Sequence, residues 1–199
     1  MGKQEVVQAQ EFATAIGIQG LKVNGVNGFY TRRFVRTFQS AFQLNSYGSH
    51  PLKADGIPGP LTIQAMQICE ENGYRLSSNF KITEFMTKGS RKVSFSNEVV
   101  KVDRLLVASL QRLRENLGFP IVILSAYRDP RHNKRVGGAK RSQHLFGKAV
   151  DLNRPRIIRN ITEAEARNAG FNAVGMLSRS NPDVIHMDVR DSVVRWYYS

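Results

Sequence analysis

Two short stretches late in the chain alternate as strands do. In Val184-Ile185-His186-Met187-Asp188-Val189, the residues Ile185, Met187 and Val189 fall on one face and leave His186 and Asp188 together on the other. Ala149-Val150-Asp151-Leu152 alternates in the same way. A polar pair projecting from a strand, with an apolar face behind it, is a rigid base for a site. The chain therefore has to contain a sheet with other elements packed against it.

Upstream, Asn97–Arg114 reads as an amphipathic helix with Val99, Val102, Leu105, Leu106, Ser109, Leu110 and Leu113 along one face and Gly118 as its stop. Ile121–Leu124 is a β-branched run suited to a buried strand, and Phe80–Phe85 reads as a further short strand. Helices and strands mix without a βαβ rhythm, which predicts an α+β domain with a mainly antiparallel sheet. Residues 1–75 differ, reading as short helices joined by Gly- and Asn-rich turns. Within Tyr30–Leu44, Phe34, Phe38 and Phe42 are spaced by four and predict a core-facing aromatic stripe. Asp55-Gly56 and Pro58-Gly59-Pro60 form a tight turn, after which Thr62 opens a helix burying Ile63, Ala65, Met66, Ile68 and Cys69, with Gln64 and Gln67 outward. A faint internal echo aligns Asn27-Gly28 through Phe38-Gln39 with Asp55-Gly56 through Met66-Gln67, an offset of 28. With Leu76–Phe80 as linker, the expected division is a small helical bundle over 1–78 and the α+β domain over 79–199.

Of the 199 residues 41% are hydrophobic, enough for a sizeable core without disulfides. The single cysteine, Cys69, lies in an apolar helical pattern and reads as a buried structural thiol. No stretch has the apolar length of a membrane span. Residues 1–12 lack the uncharged core of a secretory signal, so synthesis in the cytoplasm without a signal peptide is expected. The net charge of +13 suits nucleic acid, anionic lipid or anionic wall polymers alike. Its densest stretch, Arg128–Arg141, overlaps candidate site residues and so favours an anionic substrate.

The chemistry concentrates in Ser142-Gln143-His144-Leu145-Phe146-Gly147-Lys148-Ala149-Val150-Asp151 and in Asp183-Val184-Ile185-His186, with His186 lying 42 residues after His144. Together they offer two imidazoles, a carboxylate, and a second carboxylate three residues before the later imidazole. Zinc hydrolases commonly use three N/O ligands and keep a fourth position open. A nearby carboxylate can then shuttle a proton to the leaving amine. Taken singly, each residue fits a satisfied structural role.

Two family resemblances sharpen the reading. Asp55-Gly56-Ile57-Pro58-Gly59-Pro60-Leu61-Thr62 resembles the D-G-x-x-G-x-x-T signature of a three-helix peptidoglycan-binding domain, over roughly residues 10–75. Ser142, His144, Gly147, Ala149 and Asp151, followed by His186, resemble the zinc D-alanyl-D-alanine carboxypeptidase family, which includes phage L-alanyl-D-glutamate endopeptidases, over roughly 80–190. The resemblance implies Zn²⁺ held by His144, Asp151 and His186, with Asp183 as general base. It also implies that Arg128, in Ser125-Ala126-Tyr127-Arg128, stabilises the tetrahedral intermediate. Tyr127, His132, Ser142 and Gln143 are the candidate substrate contacts, His132-Asn133 through Lys140 resembling the family's active-site approach. Many relatives carry Glu where this chain has Asp183, and Trp where it has Ile185, which leaves the bond cut unsettled.

The resulting expectation is a zinc-dependent peptidoglycan peptidase, endolysin-like and monomeric, acting on the bacterial cell wall with no nucleic-acid partner. The rival is a non-catalytic wall-binding or virion structural protein that keeps fold and metal. Against it stands Asp183, since a binder needs no base. Nucleic-acid binding rests on charge alone, without a recognisable docking element.

Overall fold

The computed structural model describes residues 2–19, 21–42, 52–86, 93–94, 101–153, 161–176 and 184–197. Three helices open the chain: α1 Lys3–Ala15, α2 Phe29–Ala41 and α3 Pro60–Glu71. The Phe34, Phe38 and Phe42 stripe is buried, with Phe38 meeting Phe12 of α1 edge-on at 5.3 Å between ring centroids. In α3 the helix starts two residues before Thr62, because Pro60 at its first turn needs no amide partner there. Cys69 is fully buried, and loss of solvent, helped by the Glu70 charge, pushes its thiol up to about 12.

The internal echo is real, but its register is 31 rather than 28. Asn24-Gly25 through Thr31 superposes in role on Asp55-Gly56 through Thr62. Asn24 Oδ1 accepts from Val26 N, and Asp55 Oδ1 from Ile57 N, each at 2.9 Å. Gly25 and Gly56 follow at φ +69° and +78°, the left-handed region where a side chain is strained. Each turn then closes on a buried glutamine from the preceding helix. Gln10 Nε2 donates to Asn24 Oδ1, Val26 O and Thr31 Oγ1, and its Oε1 accepts from Asn24 N and Gly25 N. Gln39 Nε2 donates to Asp55 Oδ1, Ile57 O and Thr62 Oγ1, and its Oε1 accepts from Gly56 N at 2.8 Å. The first copy contains two Asn-Gly pairs, and only these long-range bonds reveal which one is the turn.

The second half is α+β. It comprises β2 Val93–Ser94, α4 Arg104–Leu117, β3 Ile123–Ser125, α5 Pro130–Arg135, β4 Ala149–Asn153, α6 Glu163–Asn168, β5 Ala173–Met176, β6 Val184–Asp188 and β7 Val194–Tyr197. Five strands form a sheet in the order β3-β4-β6-β5-β7, antiparallel except for the β5–β7 pair. The short strand β1, Ile18–Gln19, pairs parallel with β2 and so ties the halves together. One contiguous apolar core runs from Ala9 to Val189.

Phe80–Phe85 is not a strand: Ile82–Phe85 forms a 3₁₀ turn in which Glu84 accepts from Lys81 N at 2.8 Å, and Phe80, Ile82 and Phe85 all point inward without period-two alternation. The long amphipathic helix starts at Arg104, since Asp103 caps it by accepting from Leu105 N; residues 97–100 lie outside the described ones. Leu105, assigned to the inner face, is 52% exposed. The β-branched strand starts two residues later than expected, as Ile123–Ser125, and forms an edge of the sheet.

Candidate metal centre

Strands β4 and β6 pair so that Asp151 lies directly opposite His186. The cross-strand partners therefore share a face and bring carboxylate and imidazole together. His144 arrives from a 3₁₀ turn, Gln143–Phe146, that ends at Gly147. Gly147 has φ +69°, and a Cβ there would sit 2.2 Å from Lys101 O, so only glycine lets this turn dock on the chain entering α4.

The three residues are 1%, 9% and 8% exposed for His144, Asp151 and His186, which demands that every polar atom be answered. His144 Nδ1 lies 2.5 Å from Ala126 O, which can only accept, so that nitrogen carries the proton. His186 Nε2 lies 3.1 Å from Asp188 Oδ2 and by the same reasoning is protonated. Asp188 is itself fully buried and clamped by Arg190, through Nε at 2.7 Å and Nη2 at 2.5 Å. What remains pointing inward is acceptor only. His144 Nε2 is 3.1 Å from Asp151 Oδ1 and 3.2 Å from His186 Nδ1, while His186 Nδ1 is 2.9 Å from Asp151 Oδ1.

Three lone pairs thus converge with no proton among them, and a cation relieves the repulsion. A proton does so partially. Burial by itself lowers His186, but its hydrogen bonds to Asp151 and Asp188 outweigh that and raise it. Burial would raise Asp151, yet its close pairing with the two imidazoles holds it well below the ordinary carboxylate range. His144 is lowered, chiefly by burial. A metal ion fits the triangle directly: tetrahedral zinc with bonds of about 2.0 Å has ligand edges of about 3.3 Å, close to the 2.9–3.2 Å found. The outward nitrogens held by a carbonyl and a carboxylate are the usual orienting partners of metal-bound histidines.

The triad opens on a cleft of about 560 Å³. Arg128, Ser142 and Gln143 line it with the three ligand candidates, and so do Arg141 and Arg190. Arg128 bonds Asp151 Oδ2 through its terminal nitrogen and Ser125 Oγ through Nε at 2.9 Å. Tyr127 is buried rather than on the cleft wall, and His132 stands in α5 with Nδ1 2.7 Å from Arg135. Burial, followed by the charges of Arg135 and Arg128, lowers His132. Asp183 lies outside the described residues. Sequence reasoning missed Arg190 and the Ala126 carbonyl. The first had a signal in the i, i+2 run His186, Asp188, Arg190; a backbone carbonyl has none.

A triad of N/O donors with one side open to a cleft is the arrangement of catalytic rather than closed structural metal sites. Comparison with known proteins agrees with that class. Residues 78–188 match the Peptidase M15 family, and the chain belongs to it. It is also 31% identical over 160 residues to the zinc D-Ala-D-Ala carboxypeptidase of Streptomyces albus G. The match covers 77% of this chain and 58% of that protein's length.

Proposed function

We propose that this protein is a zinc-dependent peptidase that hydrolyses bonds in the peptide stems of peptidoglycan, with His144, Asp151 and His186 as the metal ligands. The observation that carries it is the convergence of three buried lone pairs on one point of a cleft, in a Peptidase M15 chain. The name of the Streptomyces relative supports both the metal and a stem-peptide substrate.

When bound, zinc supplies a Lewis acid that polarises a carbonyl and acidifies water. The chain's own residues do the rest. Ala126 O and the Asp188–Arg190 pair fix the ring orientations, so the ligand nitrogens stay aimed without reorganisation. Asp183, three residues before His186, is the general base that takes the proton of the attacking water and delivers it to the leaving amine. Arg128, steadied by Ser125, stands at the cleft wall where negative charge develops on the scissile carbonyl. Arg141 and Arg190 make the cleft cationic, which suits the carboxylates of a peptide stem. Ser142 and Gln143 contact the substrate from the turn that bears His144; Tyr127 and His132 act from behind the wall.

Residues 1–78 form the wall-binding domain in this reading and 79–199 the peptidase. The pairing of the two, with a net charge of +13, supports an endolysin role on an anionic envelope. The test is digestion of purified peptidoglycan by wild type and Asp183→Ala, with mass spectrometry of the products and zinc content of both proteins. Cleavage by wild type, lost in a variant that keeps one zinc, establishes the peptidase and identifies its bond. Zinc-loaded wild type that cuts no stem from several wall types makes the protein a binder instead.

A further inference from the structure

A second concavity, of about 690 Å³, lies between α2 and the chain entering α4. Arg33 and Arg36 line it from α2, Lys101 and Arg104 from the opposite wall. The one carboxylate among the described wall residues, Asp103, is engaged as the cap of α4, bonding Leu105 N at 2.8 Å. The groove's described wall therefore carries four basic residues against one carboxylate, Arg36 also donating through Nη2 to Asp55 O at 3.2 Å, and the N-terminus of a 14-residue helix adds to the positive potential. Its wall also holds two large apolar side chains that the core does not need: Phe146, 50% exposed, and Leu105, 52% exposed. Lys101 Nζ sits 6.0 Å from the centre of the Phe146 ring. Exposed apolar surface among cations suits a ligand that carries both negative charge and the apolar faces of sugar rings.

The groove is coupled to the metal centre. Phe146 belongs to the same four-residue turn as His144, so the turn has the catalytic cleft on one side and the groove on the other. Asp103 N donates to Gly147 O at 3.0 Å, and Gly147 allows no side chain between that turn and Lys101. A ligand seated in the groove is thus held at a fixed offset from the metal ligands.

We propose that this groove seats a carboxylate-bearing peptidoglycan strand and presents its peptide stem across the 143–147 turn to the catalytic cleft. The proposal rests on the peptidase reading and adds where the polymer lies. It predicts that polymer and small substrates respond differently to loss of the groove's charge. The experiment compares wild type, Arg36→Glu/Arg104→Glu, the milder Arg36→Gln/Arg104→Gln, and a control of equal charge change away from the groove, Lys22→Glu/Lys81→Glu. Each zinc-loaded protein is assayed for binding to sacculi stripped of phosphate polymers, for cleavage of those sacculi, and for cleavage of soluble stem peptides. Circular dichroism checks folding.

Expected is a loss of about tenfold or more in sacculus binding and cleavage for the groove reversal, with a smaller loss for the Gln pair and a flatter salt dependence. Soluble-peptide kcat/KM stays within about twofold, because no residue of the cleft is touched. Equal losses in the control pair, or wild-type behaviour of the reversal on sacculi, overturn the proposal. So does wild-type binding that disappears once phosphate polymers are stripped. Failure of wild type to cleave soluble stems would instead overturn the peptidase reading, and the binding assay would still report on the groove.

Discussion

Gln39 and His186 are both buried polar residues on regular elements, and they differ in what their atoms face. Each polar atom of Gln39 meets a complementary one: its amide donates to Asp55, Ile57 and Thr62, and its carbonyl accepts from Gly56. Gln10 repeats the arrangement one turn-helix unit earlier. These networks are closed, and their effect is to hold a loop against a helix. At His186 the outer nitrogen is answered by Asp188, but the inner one meets two further acceptors. That network gathers acceptors around one point, as a cation site does. Burial alone therefore does not separate structural from functional polar residues; the balance of donors and acceptors does.

The largest expected effect comes from breaking the open network. His186→Ala should abolish tight zinc binding and lower stem-peptide hydrolysis on the order of 10³-fold, read by metal analysis and product formation. Closed networks should fail in stability instead. Gln39→Leu leaves the Gly56 N–H without its partner and the Ile57 carbonyl with Gly59 N alone, and should cost about 2–4 kcal/mol in urea unfolding. Zinc content and soluble-peptide turnover should remain as in wild type. A variant that lost zinc before it lost stability would contradict the distinction. Between these lies Asp188→Asn, which preserves shape but removes the charge behind His186. It should weaken zinc affinity by about 10- to 100-fold, measured by chelator competition, with the fold intact.

Much of this division was legible in the sequence, because strand alternation and helical stripes are local signals. Ile185, Met187 and Val189 placed His186 and Asp188 on one face without any knowledge of their partners. The candidate ligand set was legible through residue types in register. What escaped depended on contacts between distant segments. Asn24-Gly25 and Asn27-Gly28 look alike locally, and only Gln10, 14 residues before Asn24, selects the first as the turn. The start of α4 is set where Asp103 N meets Gly147 O across the fold, which no helical period foretells. Leu105 was placed inward by that period, yet it stands exposed on the groove beside Phe146.

The smallest expected effect separates the two closed networks from each other. They differ in charge at one position: Asn24 is neutral and Asp55 ionisable, though both accept the same backbone bond. The Ile57 amide, against a smaller opposing effect of burial, holds the Asp55 carboxyl below its ordinary value of 3.8. The native state therefore binds that proton less readily than the unfolded chain. Its contribution is complete above about pH 4 and is lost as pH falls through the lowered native value. Asp55→Asn should copy the first unit and remove this part of the acid slope, leaving stability at pH 7 nearly unchanged because the side chain is partly exposed and screened. Unfolding midpoints of the two proteins, followed from pH 7 to pH 3, give the comparison. Curves that meet at pH 7 and separate at acid pH, the wild type falling faster, assign that part of the acid slope to the Asp55 charge and leave the Asx turn as what both units share; parallel curves would place the acid sensitivity elsewhere in the chain.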